Sequence, residues 1–136
     1  MSVSIVGRVI TVKAKLTYVG IRVKDLQSSI DFYTKLLDMK VKSRTKIEQT
    51  KGETVSLESD EGGFILELNY YEKSSPYHTE YVVGEGLDHL AFRVSDLDQA
   101  LDEARSSGYR TVLEMKADGG RWAYIEDPNG IWIELF

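Results

Sequence analysis

Cysteine is absent from this 136-residue chain. That excludes disulfides, thiolate zinc sites, iron–sulfur clusters and cysteine nucleophiles, and it leaves a reducing, cytoplasmic home open. Positive charge is also short. Seventeen Lys and Arg face 22 Asp and Glu, for a formal net charge of −5, so the phosphate-neutralising field of a general nucleic-acid binder is missing. No apolar run approaches the roughly 18 to 20 residues of a membrane-spanning helix. The apolar opening from Met1 to Lys13 is interrupted by Arg8 and followed by no small-residue cleavage site, so a signal peptide is not expected either. Its alternation of Ser4, Val9 and Thr11 with Ile5, Ile10 and Val12 reads as an added strand over residues 1–14. With 42% hydrophobic and 29% charged residues, the chain has the balance of a soluble globular domain whose core needs no covalent staple.

A duplication organises the remainder. Shifting the sequence by 71 residues lays Leu16–Asp31 on Leu87–Asp102, with Leu16/Leu87, Arg22/Arg93, Val23/Val94, Asp25/Asp96, Leu26/Leu97 and Asp31/Asp102 identical. Each copy opens with an apolar run of strand length. Asp25 or Asp96 then stands where its carboxylate can cap a helix N-terminus. Leu26, Ile30, Tyr33 and Leu37 form one helical stripe; Leu97, Leu101 and Ala104 form the other, which Gly108 ends. Strand-like segments follow at 41–47, 54–58 and 64–68 in the first copy, with Glu61-Gly-Gly63 as a turn. The second copy matches them at 111–115, 121–126 and 131–136, with Asp127-Pro-Asn-Gly130 as a hairpin turn. The expectation is α+β: two βαβββ modules at 15–68 and 87–136, joined by a polar linker at 69–86 and forming a cupped, barrel-like sheet structure.

Strand alternation puts Tyr18, Gly20 and Arg22 on one face, and His89, Ala91 and Arg93 on the equivalent face of the second copy. In the last strand of each half a carboxylate interrupts an apolar run: Glu67 in Ile65-Leu-Glu-Leu68 and Glu134 in Trp132-Ile-Glu-Leu135. A charge there is costly unless it is paired or bound to metal. An imidazole and two carboxylates meeting at a pseudo-two-fold axis would suit a divalent ion, with Tyr18 as a fourth group or a bystander. Open positions on such an ion could hold a substrate's adjacent oxygens while a carboxylate moves a proton. His78 sits in the polar linker and reads as a solvated loop residue; Tyr33, Trp122, Tyr124 and Trp132 read as core or pocket wall.

Four segments together carry a resemblance: Val19-Gly-Ile-Arg-Val-Lys-Asp-Leu26, Ser29-Ile-Asp-Phe-Tyr33, Leu87-Asp-His-Leu-Ala-Phe-Arg-Val94 and Asp127-Pro-Asn-Gly-Ile-Trp-Ile-Glu-Leu135. From about Lys15 to Phe136 the chain resembles the vicinal oxygen chelate superfamily. That superfamily includes glyoxalase I, extradiol dioxygenases, methylmalonyl-CoA epimerase and the bleomycin- and fosfomycin-resistance proteins. The likeness to glyoxalase I implies metal ligands at Glu67, His89 and Glu134, for an ion such as Ni, Co, Zn, Mn or Fe. The fourth ligand position, a histidine in glyoxalase I, falls on Tyr18, whose phenol must lose a proton of reference pKa about 10 to be a strong ligand. Tyr18 also argues against extradiol dioxygenase activity, which needs a histidine there.

Arg22 matches an arginine that contacts the glutathione carboxylate, which implies an anionic small-molecule substrate. Tyr71 replaces an expected asparagine, and Arg121 lies in the loop before the final hairpin, so Arg22, Tyr18, Tyr71, Arg121 and Trp122 are the substrate-side candidates. The resemblance implies a homodimeric metal-dependent lyase or isomerase of lactoylglutathione lyase type, acting on a substrate such as a 2-oxoaldehyde thiol adduct. Glu134, ahead of Glu67, would shuttle the proton while the ion stabilises an enediolate. The alternatives are a non-catalytic binding protein of the antibiotic-resistance kind and an acyl-CoA epimerase.

Overall fold

The computed structural model describes residues 3–6, 9–13, 18–60, 63–85, 87, 89–117 and 119–136. Leu16 of the repeat, Glu61 and Gly62 of the first turn, and the module and linker bounds at 14, 15 and 86 lie outside the described residues. The N-terminal stretch folds as two strands, β1 (Val3–Val6) and β2 (Val9–Val12), paired antiparallel as a separate two-stranded sheet.

The first module runs β3 (Tyr18–Arg22), α1 (Leu26–Asp31), β4 (Lys40–Ile47), β5 (Gly52–Glu58) and β6 (Ile65–Tyr71). The second runs β7 (His89–Phe92), α2 (Leu97–Ser106), β8 (Thr111–Ala117), β9 (Gly120–Glu126) and β10 (Trp132–Leu135). The sheet orders are β3-β6-β5-β4 and β7-β10-β9-β8, with β3/β6 and β7/β10 parallel and the other pairs antiparallel. The βαβββ topology thus occurs twice. Even the irregularities repeat, with a register shift between Val41 and Ser43 in one module and between Thr111 and Leu113 in the other.

Both helices begin as their caps dictate. Asp25 accepts from the Ser28 amide at 2.9 Å and Asp96 from the Gln99 amide at 3.1 Å, each in an extended conformation that satisfies an otherwise orphaned donor. The Ser28 hydrogen bond holds the Asp25 carboxyl below the usual carboxylate range. α1 departs from the expected regular period. After Asp31 it widens into a π-helical turn, Phe32–Leu36, that buries Phe32 as well as Tyr33. Asp38, at φ 58°, then turns the chain, a left-handed conformation that Asp tolerates better than most residues.

Each sheet has one covered face. Ile21, Val55, Leu57, Leu66 and Leu68 are buried with Leu26 and Ile30, and Ala123, Ile125, Ile133 and Leu135 with Leu101 and Ala104. A fully buried side chain of this kind contributes roughly 1.5–3 kcal/mol by leaving water. The two halves share one core: Phe32 meets Tyr109 edge-on at 4.7 Å and Tyr33 approaches Phe92 at 6.3 Å.

The final hairpin does more than turn the chain. Asp127 Oδ1 accepts the amides of Asn129 and Ile131, closing an Asx turn. Its Oδ2 accepts from the buried Tyr33 hydroxyl at 2.9 Å and from Asn129 Nδ2. Asn129, fully buried, donates to Ser29 Oγ and accepts from the Lys24 amide at 2.7 Å. The turn therefore fastens the second module to the strand–helix junction of the first. Gly130 has φ 83°, and a Cβ there would come within 2.9 Å of Val83, so both conformation and space call for glycine.

Candidate active site

The uncovered face of each sheet carries the polar residues singled out in the sequence. In the first sheet Tyr18 pairs with Ile65 and Gly20 with Glu67; in the second, His89 pairs with Trp132 and Ala91 with Glu134. Glu67 and Glu134 therefore occupy equivalent register positions, as do Tyr18 and His89. Strand alternation that sends Leu66, Leu68, Ile133 and Leu135 into the core sends both carboxylates to the open side.

On the second sheet the groups converge. His89 Nε2 lies 3.9 Å from Glu134 Oε1, and Tyr124 donates its hydroxyl to the same oxygen at 2.9 Å. Tyr124 also stands edge-on to the imidazole, with ring centres 5.6 Å apart, and packs on Trp132 at 5.4 Å. His89 and Glu134 are both partly exposed, so a nitrogen and a carboxylate donor face an open space, as a divalent ion requires. Glu67 is half-buried and Tyr18 half-exposed on the first sheet. Among the described residues no cluster of three or more His, Asp or Glu forms, so one chain brings His89 and Glu134 together but not Glu67 with them.

Arg22 lies on the Glu67 face and is held by the linker. Its Nη1 donates to the Tyr77 carbonyl at 2.8 Å and to Thr79 Oγ1 at 2.9 Å, and the guanidinium stacks on Tyr71 at 4.7 Å. Around it opens a cavity of about 440 Å³ lined by Arg22, Lys24, Tyr71, Lys73, His78 and Thr79. A second, of about 350 Å³, reaches from Arg22 past Gly20 to Tyr81 and Leu87. Arg22 and Lys24, near neighbours on the chain, and the distant Lys73 thus line one cavity, together with the carboxylate of Glu80. Lys24 Nζ also lies 5.1 Å from the centre of the Tyr81 ring, whose phenol is pushed up by burial and, less, by Asp127.

Two residues stand differently from the sequence expectation. Arg121 points to the helix side of its sheet, where its guanidinium grips Asp98 of α2 at 2.9 and 3.3 Å and holds that carboxyl below its ordinary range. Trp122, two positions before Tyr124, shares the open face, so alternation separates these neighbours. His78, read as a solvated loop residue, lines the larger cavity, its Nε2 3.9 Å from Glu80. Its placement follows from the Ser75 turn, in which Ser75 Oγ bonds the Thr50 carbonyl and accepts the Tyr77 amide.

Against known proteins, the family model described as Glyoxalase/Bleomycin resistance protein/Dioxygenase superfamily matches residues 15–135. The chain belongs to that superfamily. A lactoylglutathione lyase of Escherichia coli O157:H7 is 32% identical over 128 residues, 89% of this superfamily member and 90% of the relative. One of Pseudomonas aeruginosa is 30% identical over 147 residues, covering 93% and 84%. The chain spans less than half the length of the plant relatives it matches, 44% in Brassica oleracea. Among solved structures, a Leishmania major glyoxalase I described as trypanothione-dependent superposes with a TM-score of 0.71 at 28% identity, covering 90% of this chain and 86% of that one. No helix among the described residues is long and apolar enough to cross a membrane.

Proposed function

We propose that this superfamily member is a glyoxalase I-like, divalent-metal-dependent lyase that isomerises the thiol adduct of a 2-oxoaldehyde, working as a homodimer. The observation that carries the reading is the register equivalence of Glu67 and Glu134 on the open faces, with His89 already beside Glu134. Relatives named lactoylglutathione lyase support the same reaction class.

His89 and Glu134 of one copy and Glu67 of the other would hold the ion, with Tyr18 beside it, because one chain does not assemble the set. The ion, when bound, supplies positive charge against the negative charge that develops on two neighbouring substrate oxygens. The protein's task is proton transfer. A carboxylate takes the proton from the carbon bearing hydroxyl and sulfur and returns it to the adjacent carbon, while the hydroxyl proton passes to the former carbonyl oxygen, so a hemithioacetal becomes an α-hydroxy thioester with no atom gained or lost. Arg22, Lys24 and Lys73 attract the anionic end of the thiol, and the Tyr71 ring, in place of an amide, gives that end an aromatic wall.

The test is direct. Chelator-treated protein is offered Ni, Co, Mn or Zn, and ion binding and thioester formation from methylglyoxal with glutathione or another thiol are measured. One ion per site with turnover, both lost in His89→Ala, is expected. A protein that binds no ion and turns over no thiol adduct is instead a small-molecule binder of the resistance kind, the reading that Tyr18 favours by lacking a nitrogen donor.

A further inference from the structure

The linker that holds Arg22 has a footing of its own. Buried Ser75 donates through Oγ to the Thr50 carbonyl, in the turn between β4 and β5, and accepts the Tyr77 amide on the same atom. The Ser75 amide donates to the Glu72 carbonyl at 2.9 Å and the His78 amide to the Ser75 carbonyl at 3.2 Å. The Tyr77 ring approaches Tyr71 at 6.2 Å. Residues 75–79 are therefore tied to the first sheet without Arg22, and can act on it. Arg93, the counterpart of Arg22 in the duplication, also lies over a ring, 4.9 Å from the centre of Phe136. Stacking is common to both copies; the bonds to the Tyr77 carbonyl and Thr79 Oγ1 are what the linker brings to Arg22. Both bonds use Nη1, one corner of the guanidinium. The Nε–Nη2 edge is a second fork that can grip a carboxylate or phosphate with two parallel bonds.

We propose that Thr79 is a positioning residue that, with the Tyr77 carbonyl, fixes Arg22 so that its Nε–Nη2 edge takes the carboxylate or phosphate of an anionic thiol side-on. This rests on the anionic substrate proposed above. Arginine has much rotamer freedom to lose. The Tyr71 ring keeps the guanidinium flat but lets it slide, whereas the Nη1 bonds set where it stops. Ordering it before the ligand arrives leaves less to be lost on binding. The fixed fork borders the cavity that Lys24, Lys73 and Thr79 also line, with His78 and the Glu80 carboxylate. Both linker bonds are exposed, so their contribution is restraint of direction, and its loss is felt in binding.

Thr79→Val removes the hydroxyl and keeps the shape, and Thr79→Ser puts the hydroxyl back. With thermal melts to confirm equal folding, KM and kcat are measured for the methylglyoxal adducts of glutathione and of coenzyme A, and the affinity of each thiol alone by titration calorimetry. For at least one of the two thiols, Thr79→Val should raise KM and weaken binding about three- to tenfold with kcat unchanged, and Thr79→Ser should recover both. Response to glutathione alone marks the bound anion as a carboxylate, and response to coenzyme A alone as a phosphate. Arg22→Lys, a cation without the planar fork, should weaken binding at least as much, and adding Thr79→Val to it should cost nothing further. Unchanged or tighter binding of both thiols in Thr79→Val overturns the proposal. So does an equal loss in Thr79→Ser, a loss confined to kcat, or full additivity with Arg22→Lys. Should the unaltered protein turn over neither adduct, the lyase reading falls while calorimetry still decides the role of Thr79. Should it bind neither thiol, both fall.

Discussion

Replacing Asn129 with alanine tests whether the two modules are held by polar contacts or only by their shared core. Asn129 is fully buried and makes three side-chain hydrogen bonds: to Ser29 Oγ at 3.1 Å, to Asp127 Oδ2 at 2.9 Å and from the Lys24 amide at 2.7 Å. Asp127 Oδ2 keeps the Tyr33 hydroxyl, so the substitution orphans two groups, the Lys24 amide and the buried Ser29 hydroxyl. At about 1–3 kcal/mol per unsatisfied group, the two give a loss of about 2–6 kcal/mol, the part-buried Lys24 amide at the lower end. That is a large share of the roughly 5–15 kcal/mol that holds a domain folded. Guanidinium denaturation at fixed protein concentration should show a lower midpoint with an unchanged slope. Asn129→Asp should cost at least as much, because it keeps the acceptor for Lys24 but sets a second carboxylate against Asp127. A loss below about 1 kcal/mol for both would mean that the surroundings rebond without Asn129 and that the turn is not a fastener.

Tyr33, buried and facing the Asp127 carboxylate, has its phenol pushed well above its ordinary value, by burial first and Asp127 second. Its contribution is complete below pH about 10, where an unfolded tyrosine begins to ionise. It is lost as the pH rises from there toward the folded value, so Tyr33→Phe should flatten the alkaline fall in stability measured by denaturation between pH 9 and 11. Asp25 titrates in the opposite sense. Held low by the Ser28 amide, it stabilises α1 above the ordinary carboxylate range and stops doing so as the pH falls through its folded value, and Asp25→Asn should remove that acid dependence from thermal melts. Arg22→Ala should raise KM for an anionic thiol adduct by about tenfold or more with little change in kcat, the mark of lost uniform binding; an unchanged KM would confine Arg22 to tying down the linker. Mixing inactive Glu67→Gln and His89→Ala proteins should restore about a quarter of full activity, since half of randomly formed dimers regain one of two shared sites. No recovery would place the whole site in one chain.

The duplication made most of the fold legible, because identical residues recur where the physics is local. Asp25 and Asp96 cap helices, and the apolar stripes and alternating strands recur in both halves. Strand ends were less readable. β6 continues through Asn69, Tyr70 and Tyr71, three polar or amphipathic residues with a linker-like look, because each pairs across to β5. The π-helical turn was hidden for a different reason. A 3.6-residue period credits Tyr33 alone with the core, and the inserted residue that buries Phe32 leaves no local mark.

The site was legible to the extent that it is written in strand parity. Parity placed His89, Glu134, Glu67 and Tyr18 on open faces, and it would have set Arg121 apart from Trp122 had it been carried into β9. It cannot report what lies across the sheet. Tyr124 meets Glu134 ten residues away through the hairpin register, and Arg22 meets Tyr77 and Thr79 across 55 and 57 residues of chain. Both contacts join residues of unremarkable type whose meaning comes from their partners. The copied halves differ where their cross-strand partners differ: Tyr124 stands opposite Glu134 on one sheet and Ser56 opposite Glu67 on the other.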